Sequence, residues 1–199
     1  MPALDHLVLT SGPRTRIRAK DERDAIDDFQ WRRDAETNRL DGSGPINLAY
    51  SEFLEQFRRE NAFVNPARRQ FSIESLEALH IGNVMYYNVD GAREEAEFGI
   101  TIGRQEYRGA GFGREVTVAF LRFLWETLPF RRVVLHTLES NERARQCFQR
   151  AGFADTARVF RNGQWFVRME ARREWWLLWD MEGRFLFPAE RSSAPLAKT

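Results

Sequence analysis

Hydrophobic and polar positions along the chain change period several times, and each change predicts an element. Residues 14–19 (RTRIRA) alternate, as an edge strand does. Asp21 stands where a helix cap is needed, and residues 22–33 put Ala25, Ile26, Phe29 and Arg33 on one helical face. DGSGP at 41–45 reads as a loop. Ser51 is placed to cap a second helix running to about residue 60, with Phe53, Leu54 and Phe57 at helical spacing. The period then becomes two. Residues 69–75 and 78–90 predict two strands with a very short turn between them. Asp90-Gly91 predicts another turn, and 95–103 a further strand.

That strand runs into RQEYRGAGFG (104–113), after which 114–127 carries a helical stripe of Val116, Ala119, Phe120, Phe123 and Leu124. Pro129 stops this helix. Residues 131–140 (RRVVLHTLES) are largely apolar without strict alternation, as strands of parallel sheets tend to be. Asn141 caps a helix over 142–151 that ends at Gly152, and 153–161 and 164–171 flank Asn162-Gly163 as a hairpin. Trp175, Trp176 and Trp179 follow, and the chain thins into RSSAPLAKT, a tail expected to be flexible. The expected fold class is α/β (α+β), with one mixed sheet and no double winding. One domain spans 1–180, made of a strand and two helices over 14–62 and a core over 69–171, with a C-terminal extension at 181–199.

Composition narrows the function classes. With 30 basic and 29 acidic residues in 199, the net charge of +1 argues against a nucleic-acid surface built on bulk charge. One cysteine, Cys147, excludes an internal disulfide framework and fits a reducing compartment. His6, His80 and His136 are far apart and form no metal motif, so no metal is expected. No apolar run approaches the roughly 20 residues of a membrane span. The first residues lack the basic flank of a signal peptide, so a cytoplasmic protein without a membrane partner is expected. Monomer and homodimer both stay open.

The candidate chemistry begins at RGAGFG (108–113). Gly109, Gly111 and Gly113 let backbone approach a ligand closely and adopt positive φ, and the amides at the start of the following helix face an anion favourably. The loop suits a pyrophosphate. It is not a Walker loop, since no Gly-Lys-Ser/Thr follows. It is not the dinucleotide fingerprint either, since Arg114 occupies the sixth position from Gly109.

With strand, loop, helix, strand and helix in this order, the sequence resembles the GNAT family of acyl-CoA N-acyltransferases. Arg108, Gly111 and Gly113 match the family's Arg/Gln-x-x-Gly-x-Gly/Ala phosphate motif. NERARQCFQRAGF matches its second pattern at Asn141, Ala144, Gly152 and Phe153, but Phe148 stands where tyrosine is usual. The resemblance covers about residues 14–175. The opening, with Trp31 and Asp34 as Trp-x-x-Asp, is similar to the RimJ/RimL-like subfamily, which includes protein N-terminal, polyamine and aminoglycoside acetyltransferases.

The resemblance implies a mostly antiparallel sheet flanked by helices, with two strands splayed to form the acyl-CoA cleft. It implies transfer of acetyl from acetyl-CoA to a primary amine of a small molecule or a protein N-terminus, with no metal. It assigns pantetheine contacts to Ile100, Thr101 and Ile102 and phosphate contacts to Arg108, Gly109, Ala110, Gly111, Phe112, Gly113 and Arg114, with Asn141 and Phe148 also lining the cofactor. Arg143 and Arg145 are further candidates for the phosphates. The attacking amine must lose a proton, and a general base contributes typically ~10²–10⁴-fold. Glu97 is the expected base, eleven positions before Arg108; Glu95, Glu106 and Glu139 are weaker candidates. Phe148 cannot protonate the leaving thiolate, which leaves Ser140, or a water held by Asn141, for that step. Cys147 reads as a small hydrophobe and His136 as a strand histidine, and neither is expected to act. The missing tyrosine keeps a second class open, a non-catalytic acyl-CoA-binding or interaction domain.

Overall fold

The structure, a computed structural model, describes residues 8–187. Two short strands, β1 (Val8–Ser11) and β2 (Thr15–Ala19), precede three helices, α1 (Ala25–Arg33), α2 (Ala35–Asp41) and α3 (Tyr50–Asn61). Then come β3 (Arg69–Ser75), β4 (His80–Asp90), β5 (Glu95–Ile102), α4 (Phe112–Thr127), β6 (Arg132–Leu138) and α5 (Glu142–Arg150). The hairpin β7 (Ala154–Arg161) and β8 (Gln164–Arg172) and helix α6 (Arg173–Met181) complete the order. All eight strands form one sheet in the order β1-β2-β3-β4-β5-β6-β8-β7. Every pairing is antiparallel except β5 with β6.

One sheet sorts its side chains by alternation. Phe71, Ala96 and Phe98 are buried against α4, whose Val116, Ala119, Phe120 and Leu124 form its apolar stripe, as the periodicity predicts. The rings of Phe98 and Phe120 lie 6.0 Å apart. A smaller cluster of Ala25, Phe29, Phe53 and Phe57 holds α1 to α3. Buried charge also ties the α1 segment to the sheet. Arg18 donates to Asp24 at 2.8 Å and to Glu74 at 2.6 Å, so the desolvated guanidinium is fully paired.

Several sequence expectations need correction. The segment capped by Asp21 opens as a single 3-10 turn, and Ile26 is exposed instead of joining Ala25 and Phe29. Residues 35–41 are a helix whose first turn is capped by Asp34, accepting from Thr37 N at 2.8 Å. α3 starts one residue before Ser51, capped at Ala49, whose N–H donates to Glu52. β6 pairs in parallel only at its first three residues and runs antiparallel to β8 along its whole length. Residues 173–181 are helical, and Trp176 is fully buried, donating from Nε1 to Ala151 O at 2.7 Å and stacking on Phe185 at 4.6 Å. Phe185 and Phe187 pack into the same core, so the extension is anchored at least that far. The RSSAPLAKT segment and His6 lie outside the described residues.

Candidate active site

β5 and β6 are in register at Glu95–Arg132, Ala96–Val133 and Glu97–Val134, and then they part. Beyond that point β5 keeps only β4 beside it, and β6 keeps only β8. A strand edge with no neighbour leaves N–H and C=O groups available to an extended ligand. The wedge opens into a cleft of about 460 Å³ lined by Ile100, Thr101 and Ile102 on one side and His136, Thr137 and Leu138 on the other.

The glycine loop closes one end of this cleft. Gly109 and Gly111 have φ of +79° and +87°, which strains any residue with a Cβ, whereas Gly113 is not in that region. A Cβ at Gly109 would meet nothing within 4 Å, so the loop surface is open on that side. Helix α4 begins with Glu115 N–H bonded to Gly111 O, and the amides ahead of that bond have no partner inside the helix. Buried Glu115 then fixes the loop from behind. It accepts from Arg14 N at 2.7 Å, Arg14 Nε at 2.9 Å and Thr15 Oγ1 at 2.8 Å, while Arg14 Nη1 donates to Ala110 O.

Arg108 performs a joining role. Its Nε donates to Ile102 O, and its Nη2 donates to Gly103 O and to Thr37 Oγ1. Asp34, Thr37 and Arg108 therefore link α2 to the end of β5. Arg108 Nη1 is buried without a hydrogen bond, with Glu36 3.5 Å away. The open backbone at Gly109 and the helix N-terminus after it fit a polyanionic group such as a nucleotide pyrophosphate.

Tyr87, Asp41 and His136 also line the cleft, Asp41 beside Thr101 and within reach of the charge of Arg108. Glu97 sits at the apex of the wedge but does not line the cleft. Its Oε1 is 2.8 Å from His136 Nδ1, its Oε2 accepts from Asn88 at 2.9 Å, and Tyr87 bonds it as well. Burial pushes its carboxyl up, but these hydrogen bonds outweigh burial and hold it at about 2. All three of these hydrogen bonds favour the ionised carboxylate, and they tie Glu97 to β4 and β6. Asp41 behaves in the opposite way. Partial desolvation at the cleft raises its carboxyl to about 6 despite a hydrogen bond from Thr101 and the charge of Arg108, although the residue stays solvent-exposed.

The remaining candidates separate clearly. Ile100, Thr101, Ile102, Arg108, Gly109, Gly111, Gly113, Arg114, Asn141, Arg143 and Phe148 line the cleft. Ala110 and Phe112 do not: Ala110 is engaged by Arg14, and the Phe112 ring lies under the Arg14 guanidinium at 4.1 Å. Ser140 is exposed on the turn after β6, outside the cleft lining. Glu95 is tied to Arg132 and Arg168, Glu139 to Arg158, and Arg145 to Asp155. Cys147 lines the cleft, and burial pushes its thiol up to about 11, which keeps it protonated. Sequence reasoning missed Asp41, which it placed in a loop, and set His136 aside. The Asp34-x-x-Thr37 cap was the available signal for α2. Among the described residues no group of acidic, cysteine and histidine side chains could hold a metal ion.

A mixed sheet with one splayed parallel pair, its wedge ending on a glycine loop and a helix N-terminus, defines an enzyme of the acyl-CoA-dependent transferase class. Residues 14–154 match the model of the acetyltransferase (GNAT) domain, and the chain belongs to that family. It is therefore an acetyltransferase that uses acetyl-CoA. Solved structures share the fold. The spermidine N-acetyltransferase from Vibrio cholerae, in complex with CoA and spermine, superposes with a TM-score of 0.74 at 23% identity over 82% of this chain and 98% of that one. AAC(6')-Ib, in complex with paromomycin and acetyl-CoA, gives 0.67 at 18% identity over 80% and 94%. No curated protein matches the chain significantly in sequence. No helix among the described residues is long and apolar enough to cross a membrane.

Proposed function

We propose that this acetyltransferase acts on a primary amine, a polyamine, an aminoglycoside or a protein N-terminus, by direct attack of the amine on the thioester. The observation that carries the reading is the parting of β5 and β6 after Glu97 and Val134, which leaves a cleft running to the glycine loop. Ile100, Thr101 and Ile102 would hold the pantetheine arm through strand backbone. Gly109, Gly111, Gly113 and Arg108 would hold the phosphates, with Arg114 and Arg143 beside them. Phe148 is an apolar wall that also packs on Phe98 and Phe153. Acetyl-CoA supplies the activated acyl group, and the protein supplies position and a dry surface.

The acceptor enters from the side of the sheet that carries Asp41, Tyr87 and His136. A carboxylate at the mouth favours a cationic amine before it loses its proton. The structures with bound spermine and paromomycin support an amine acceptor of this kind. The RimJ/RimL-like reading is supported by Trp31, which packs on His80 at 4.8 Å, and by Asp34 as the cap of α2. The lone cysteine supports a cytoplasmic setting. The test is release of free thiol from acetyl-CoA with a panel of peptide N-termini, polyamines and aminoglycosides. Thiol release with at least one class is expected, and none with any class refutes the reading.

A further inference from the structure

We propose that His136 is the catalytic base of the transfer and that Glu97 is its positioning residue. The inference rests on the amine-acetyltransferase reading and assigns the proton transfer within it.

The geometry decides the tautomer. An ionised carboxylate only accepts hydrogen bonds, so at 2.8 Å from Glu97 Oε1 the His136 Nδ1 must be the donor. The proton is therefore on Nδ1, and a neutral imidazole keeps its lone pair on Nε2. Asn88 and Tyr87 hold Glu97 from the other directions, so the carboxylate and the ring it orients are fixed together. His136 lines the cleft and its partner does not. The parallel register places it two residues past the last paired position, level with Gly99 at the start of the splayed region. A carboxylate that orients an imidazole through one ring nitrogen and leaves the other to take a proton is the arrangement general-base chemistry uses elsewhere.

The step balances as follows. The amine nitrogen forms a bond to the thioester carbonyl carbon, and the carbon–sulfur bond breaks with its electron pair going to sulfur. The amine sheds its ammonium proton to solvent before attack; one further proton then leaves nitrogen for His136 Nε2 and ends on the CoA thiolate, whose pKa near 8.5 makes a dedicated acid unnecessary. The charged and titratable groups facing His136 are Glu97 on β5, Tyr87 on β4 behind that carboxylate, and Arg168 opposite it on β8. Arg168 is ion-paired with Glu95 and Glu170.

Two measurements test this. Long-range ¹H–¹⁵N NMR of the full chain is expected to show His136 protonated on Nδ1 and bare on Nε2; the reverse tautomer overturns the proposal whatever the acceptor. In thiol-release assays with the panel above, His136→Ala and His136→Gln are expected to lose about 10²-fold or more in kcat. Thermal shift by CoA should stay unchanged, exogenous imidazole should partly rescue the alanine variant, and the residual rate should climb as pH rises and the amine deprotonates. Glu97→Gln is expected to lose less kcat than His136→Ala, to keep its KM for acetyl-CoA and to redistribute the His136 tautomers. A wild type active on the panel with an equally active, folded His136→Gln overturns the base. A wild type silent on every amine refutes the broader reading instead, and the tautomer still decides the Glu97–His136 pair.

Discussion

Trp31 and Gly103 touch so closely that a Cβ built on the glycine would fall 2.0 Å from the indole Cδ2. The end of β5 thus packs backbone against the ring from α1, one residue past the strand's last position. Gly103→Ala is expected to destabilise the fold by about 1–3 kcal/mol, the usual range for overpacking. Urea unfolding checks it. Because the two residues share one contact, the loss should shrink in a Trp31→Ala background, and strictly additive effects would show that the clash is relieved elsewhere.

The glycine loop separates strain from ligand contact. Gly109→Ala places a methyl in open space at positive φ, so a stability loss of about 1–2 kcal/mol is expected from backbone strain. Gly111→Val adds a β-branched side chain at φ +87°, against the Arg14 guanidinium that braces the loop, so the loop must leave its ligand-holding conformation. Calorimetric titration with CoA is expected to show binding abolished in Gly111→Val. Unchanged affinity in the folded variant would place the phosphates elsewhere.

Phe148→Tyr tests whether the family's tyrosine matters here. Phe148 is buried against Phe98 and Phe153 and also lines the cleft. A thiol with a pKa near 8.5 leaves without help. The kcat for thiol release at pH 7 is expected to stay within about threefold of wild type. A large gain in the tyrosine variant would mean that thiolate departure limits the native enzyme.

Asp41 gives a pH signature in stability. Its carboxyl is raised to about 6 in the fold from an ordinary 3.8. Folding therefore favours its protonated form, and that stability is present at low pH and lost as pH rises through 6. Asp41→Asn removes the term, so the variant is expected to melt higher than wild type at pH 7–8 and to converge with it near pH 4. Melting curves at pH 4, 6 and 8 measure the difference. A gap that does not grow with pH would remove Asp41 as its source.

The sequence by itself determined the elements whose signals are local. The alternation of 69–75 and 95–102, the stripe of α4, the Asn141 cap and the glycine pattern at 109–113 are each read from neighbours a few positions apart, and each fixes its own backbone. The splayed wedge followed only from the family resemblance that the glycine loop and the Asn141 pattern carry, not from any of these local signals alone. Tertiary structure decided what depends on distant contacts. α2 is too short to show a period, and it is held by Asp34, Thr37 and Arg108, residues up to 74 positions apart. That helix turns Asp41 from a loop residue into a group at the cleft. Glu97 and His136 lie 39 positions apart and meet only because β5 and β6 pair in parallel through Val134. A carboxylate's value as a base depends on which donors surround it, and those donors arrive from β4 and β6, where no local pattern records them.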